Sequence, residues 1–209
     1  MTTFQELARE NAKRLLDDAE LLHAHGRHAS ATAMAIFALE ECGKYLTEKW
    51  REDGFHISSV KRKGYHEKKQ LAASSIVPAV VAVTAIFDLL EKYEPQFGNQ
   101  PITKEVLREE LKKAHEWMAT QSDVIARALA ADESSQTFEY SQRGVIEKVK
   151  QVALYVDRDL LKKGLQHTMF GENDARSMID SVKACMKRID NVAINKLARA
   201  LLQAQMAGA

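Results

Sequence analysis

Ala29-Ser30-Ala31-Thr32-Ala33-Met34-Ala35-Ile36-Phe37-Ala38-Leu39-Glu40-Glu41-Cys42-Gly43-Lys44 carries no charge from Ala29 to Leu39, then two adjacent carboxylates, a glycine and a lysine. The alanine-rich part predicts a helix packed on most of its sides. Successive residues of a helix point roughly 100° apart, so Glu40 and Glu41 cannot both turn away from such packing. A buried carboxylate requires a partner or a shifted pKa. Lys44, four residues after Glu40, offers a partner, and the same spacing also serves an ordinary ion pair on a helix surface.

Outward from this stretch the chain continues to read as helix, since three prolines and nine glycines in 209 residues leave few breaks. The first predicted helix runs from about Phe4 to His25, with Leu7, Ala8, Leu15, Ala19 and Leu22 inward and Gly26 as its C-terminal cap. The second spans about His28 to Arg51, and the short turn between the two makes them an antiparallel pair. A third covers about His66 to Tyr93, where Pro78 marks a kink or a restart after Ser74-Ser75. Thr103 is the N-cap expected for a fourth, about Lys104 to Ala131. A shorter helix over about Gln142 to Leu154 and a last long one over about Asp174 to Met206 complete the set. The expected fold is all-α: an antiparallel helical bundle of four main helices plus a shorter one. It is read as a single domain over residues 1–209, with core helices at about 4–131 and C-terminal helices at about 142–206.

Basic and acidic residues nearly cancel, 30 against 29, so overall charge gives no case for nucleic acid or membrane. Local charge differs. Lys61, Arg62, Lys63, Lys68 and Lys69 crowd around Tyr65 and His66 with Glu67 as the one acid, a cluster able to meet phosphates or to form a solvated loop. Cys42 and Cys185 make no disulfide framework, which fits a reduced, cytoplasmic protein. The N-terminus does not read as a signal peptide, and the apolar run from Ile76 to Leu90 is too short to span a bilayer.

Metal chemistry finds little support. His23, His25 and His28 are split by Gly26, and a di-iron carboxylate bundle would need Glu-x-x-His where Glu41 is followed by Lys44. No metal and no cofactor is expected. His66 is the histidine placed for chemistry: at a helix start, beside Lys68 and Lys69, a neutral imidazole could take a proton from an RNA 2′-hydroxyl.

Three marks in order carry a family resemblance: Glu40-Glu41-Cys42-Gly43-Lys44, then Gly64-Tyr65-His66-Glu67-Lys68, then Tyr155-Val156-Asp157. Together they resemble the AbiV-type abortive-infection proteins, within the wider HEPN group of helical bundles. The resemblance implies a HEPN-like fold, a role in bacterial defence against phage, and a homodimer. It also implies a buried polar network of Glu40, Glu41, Lys44, Tyr155 and Asp157. HEPN ribonucleases carry Arg, four to six residues, then His; Arg51 with His56 and Arg108 with His115 fit that spacing, although neither pair lies on the last long helix. Two readings follow. In one, the protein binds a phage or host component, such as RNA or the translation machinery, with Lys61, Arg62, Lys63 and Lys68 in the contact. In the other, it is a metal-independent endoribonuclease acting through His66 or through Arg51 and His56.

Overall fold

The structure is a computed structural model that describes residues 3–57, 64–76, 78–79, 81–82, 85, 103–120, 140–141, 143–154, 162, 164 and 167–207. Every regular element among them is helical: α1 (Phe4–Ala24), α2 (His28–Glu52), α3 (Tyr65–Ser74), α4 (Lys104–Thr120), α5 (Val145–Leu154), α6 (Glu172–Arg188) and α7 (Val192–Ala207), with a single 3-10 turn at His167–Met169. The fold class is therefore all-α. Backbone contacts gather into two compact units, residues 1–79 with 134–209, and residues 80–133, which contain α4.

In the first unit α2 is the central helix. It is buried nearly all the way round, from Ala31 through Ile36, Leu39, Glu40 and Gly43 to Trp50, and α1, α3, α5 and α6 all pack against it. Its partner α1 runs antiparallel, so that Gln5 near the start of α1 donates to Glu52 at the end of α2 (2.8 Å). Both helices stop in the same way. At Gly26 and Gly54 the backbone turns to φ of +70° and +80°, and the next amide reaches back to Leu22 and Trp50 respectively (2.9 and 2.8 Å), which satisfies otherwise orphaned carbonyls.

The inner stripe of α1 differs from the expected one. Ala8, Ala12, Leu16 and Ala19 are buried, whereas Leu7 is 54% exposed. Small side chains at the contact let α1 approach the alanine-rich face of α2, and that closeness rotates the bulkier leucines to the flanks.

The last long helix of the sequence reading is two helices. After α6 the chain turns at Ile189 and Asp190, and Asn191 caps α7 by accepting from the amide of Ile194 (3.1 Å). An Asp-Asn pair competes for backbone hydrogen bonds and so favours a cap over a continuous helix. The junction is pinned to α2. Trp50 Nε1 donates to Asn195 Oδ1 (3.0 Å), and Asn195 Nδ2 donates in turn to the carbonyls of Ile189 and Asn191 (2.7 and 2.8 Å). Asp190 accepts from Tyr45 and pairs with Arg9 (3.0 Å) and Lys49 (3.6 Å).

At the end of α3, Ser74 and Ser75 turn their hydroxyls onto the carbonyls of Leu71 and Ala72 (3.3 and 2.7 Å). Helix resumes at Ile76, and Pro78 supplies no amide for the carbonyl of Ser74. The sequence reading of a restart here describes the backbone. No helix among the described residues is long and apolar enough to cross a membrane.

Candidate functional site

The site is built where α3 crosses α2. Gly43 is the point of contact: a Cβ there would lie 2.0 Å from the carbonyl oxygen of Lys69. With hydrogen in place of a side chain, the two backbones meet and the first turns of α3 lie over Glu40. Glu67 secures the start of α3 by accepting from the amide of Gly64 (2.7 Å). His66 and Gln70, one turn apart, then face the same carboxylate.

Glu40 is 3% exposed and is the hub. Its Oε2 accepts from His66 Nδ1 (2.6 Å), and its Oε1 accepts from Gln70 Nε2 (2.8 Å) and from Lys150 Nζ (2.6 Å). Lys150, on α5, also pairs with Glu147 (2.8 Å), to which Gln70 donates as well (3.1 Å). Burial disfavours the ionised carboxylate, yet the hydrogen bonds from Lys150, His66 and Gln70 more than offset it and hold Glu40 below the usual carboxylate range. For Lys150 the balance is the mirror image: burial pulls its pKa down, and the bonds to Glu147 and Glu40 push it above the ordinary value.

Because an ionised carboxylate can only accept, Nδ1 of His66 carries the proton and Nε2 is its second functional atom. The His66 side chain is 55% exposed, so a buried anchor holds an imidazole at the surface. Oriented in this way, a histidine can accept a proton, donate one or hold a partner's hydrogen bond.

Glu40, His66 and Glu147 also bring one ligand atom each within 4.8 Å of one another, the spacing of a metal cluster. Lys150 Nζ already lies against both carboxylates, and the amide of Gln70 bonds them both. An ammonium in that position fills the role of the cation, so the donor set does not suit a divalent ion.

Of the residues singled out in the sequence, the structure brings Glu40 and His66 together. Glu41 pairs with Lys44, so the lysine expected to serve Glu40 serves its neighbour. Arg51 sits in the last turn of α2 against Glu48 (2.6 Å), and His56 is exposed beyond the Gly54 turn. Lys68 lines a shallow cleft with Thr47, Ile57, Tyr65 and Lys69. Lys61, Arg62, Lys63, Tyr155 and Asp157 lie outside the described residues. His25 donates to the carbonyl of Leu21 (2.7 Å) while His23 and His28 meet edge to face, so the three do not converge.

Sequence reasoning missed Gln70, Glu147 and Lys150. A signal for Lys150 existed: Ile146, Lys150 and Ala153 follow helical spacing, which places the lysine within an otherwise apolar inner stripe.

No curated protein and no solved structure matches the chain. The family model described as HEPN_AbiV, AbiV, matches residues 1–187, which include α1 to α5, all of α6 but its last residue, and every residue of the Glu40 network. The all-helical fold and this match agree, and the chain belongs to the AbiV family of HEPN proteins.

Proposed function

We propose that this protein acts in abortive infection, in the cytoplasm, by binding a phage or host component through the face at the start of α3. RNA or the translation machinery is the partner class that suits this face best. Membership of the AbiV family supports the defence role. The hydrogen bond between Glu40 and His66 is the observation that carries the contact face: a buried carboxylate fixes an imidazole beside the 70%-exposed ring of Tyr65. A preordered surface loses less entropy on binding than a mobile one. The basic segment Lys61-Arg62-Lys63 adjoins this face in sequence and supplies charge for a phosphate-rich partner.

The test is incubation of the purified protein with total RNA and ribosomes, with and without phage extract. Co-sedimentation that weakens with salt is expected. Replacing Lys61, Arg62 and Lys63 together by glutamine should lower binding and flatten its salt dependence. Full phage protection by that triple variant would overturn the electrostatic contact.

One observation favours a second reading. The same Glu40 bond presents Nε2 of His66 as a base, the arrangement a metal-independent endoribonuclease needs to deprotonate a 2′-hydroxyl. In that case RNA is cut by the parent protein, and His66→Ala abolishes both cutting and protection while the fold persists. Intact RNA in every mixture would remove the nuclease reading and leave the binding one standing.

A further inference from the structure

Lys69 is an anomaly among the described buried charges, since the others are paired. It is 4% exposed. Among the described residues its side-chain nitrogen has no hydrogen bond and no ion pair; its close partner is the face of the Tyr65 ring, whose centroid lies 3.6 Å away. The nearby carboxylates on α2 are already engaged, Glu40 by Lys150 and Glu41 by Lys44. Burial first, then the charge of Lys44, pull the pKa of Lys69 down; Lys150 adds to the fall, while Glu40 and Glu41 oppose it. A desolvated cation without a contacting counter-ion is costly, and an aromatic face returns only part of that cost. The uncharged amine escapes most of it.

This nitrogen borders a cleft of about 240 Å³ that Thr47, Ile57, Tyr65 and Lys68 also line. The hydroxyl of Thr47 donates to the carbonyl of Lys44 (3.0 Å), and Ile57 adds aliphatic surface. A lysine that is both desolvated and set near a second cation is a nucleophile, because each unit of lowered pKa raises its free-amine fraction about tenfold at neutral pH. The electrophile that suits such an amine is an uncharged carbonyl. An anionic ligand would instead settle on the side chain as an ion pair and keep the nitrogen protonated.

We propose that Lys69 is a covalent capture site for a small, uncharged aldehyde, which enters the cleft and condenses with the ε-amine to an imine. The nitrogen lone pair adds to the carbonyl carbon and the two amine protons leave with the carbonyl oxygen as water. A C=N bond remains, and no oxidant or reductant takes part. The cleft adjoins the contact face proposed above at Tyr65 and Lys68, but the assignment rests on the amine of Lys69, which that face does not use. Its readout needs no RNA, ribosome or phage extract. It can therefore fail while the contact face stands, and the converse holds as well.

The experiment is reductive trapping of the full chain with benzaldehyde and cyanoborohydride at neutral pH, followed by peptide mass spectrometry. Reduction of the imine leaves a benzyl group on the nitrogen that formed it. Lys69 should acquire that group faster than the exposed Lys13, by roughly tenfold or more. The rate at Lys69 should saturate with benzaldehyde. Benzyl alcohol, which fills the same space and cannot condense, should slow Lys69 and leave Lys13 unchanged. Lys44→Met keeps the aliphatic stem and removes the second cation, so labelling of Lys69 should slow by roughly threefold or more. Should that variant lose its helical circular dichroism, the benzyl alcohol competition decides the matter. Labelling of Lys69 no faster than that of Lys13, indifference to benzyl alcohol, or an unchanged rate in folded Lys44→Met would overturn the assignment.

Discussion

Glu40 shows how one buried charge organises its surroundings. Removing it takes from Lys150, itself almost fully enclosed, one of its two carboxylates and leaves His66 without its anchor. Glu40→Ala should cost about 3–5 kcal/mol in urea unfolding, the usual result of breaking a buried pair from one side. The pH dependence follows from the lowered carboxyl pKa. Its stabilising contribution is complete above the ordinary carboxylate pKa and is lost as pH falls through the folded-state value. The acid limb of the stability curve should accordingly flatten in Glu40→Gln. Tyr45 behaves in the opposite sense: burial, then its hydrogen bond to Asp190, raise its pKa to about 12. Tyr45 should ionise late in an ultraviolet titration, and Tyr45→Phe should abolish that late step. The stability it confers is present below the ordinary tyrosine pKa and disappears as pH rises through about 12. At this scale the sequence exposed half of each pair. A charge-free helix ending in Glu40 marks the carboxylate, but its cation lies far along the chain, and spacing rules reach only a turn or two.

Among the elements, the crossing of α2 and α3 is the tightest constraint. Gly43→Ala drives a methyl group into the backbone of Lys69, and a backbone cannot swing aside as a flexible side chain would. Overpacking of this kind costs about 1–3 kcal/mol or more, and α3 should shift enough to loosen the His66–Glu40 bond, visible as a change in the imidazole proton resonances. A milder test lies at the start of α7, where Asn191→Ala removes the side-chain cap and should cost about 0.5–2 kcal/mol in thermal unfolding. Helix existence was legible from apolar periodicity, and so was the Gly26 cap. Two things were not. The phase of α1 depends on which face approaches a neighbour of small residues. The break between α6 and α7 is written in two polar residues whose capping role competes with a periodic pattern on either side.

For the whole molecule, the AbiV resemblance suggests a homodimer, and sedimentation at micromolar concentration should show two chains per particle. A monomer at all concentrations would remove that expectation. The fold class and the family marks could be recognised in the linear chain because alanine-rich periodicity and the three short motifs are local properties. The assembled site could not, since Glu40, His66, Gln70 and Lys150 sit on three helices and meet only in the folded bundle. That separation sets a clock during synthesis. The bond from Lys150 to Glu40 spans 110 residues, so a growing chain that already displays α1, α2 and α3 still lacks the cation that completes the network. Until the segment around residue 150 has left the ribosome, Glu40 has no ammonium to hold it in place, and the imidazole it anchors has no fixed bearing. A chain that ends before α5 therefore lacks the ammonium of Lys150, and its His66 should be less ordered than that of the full chain.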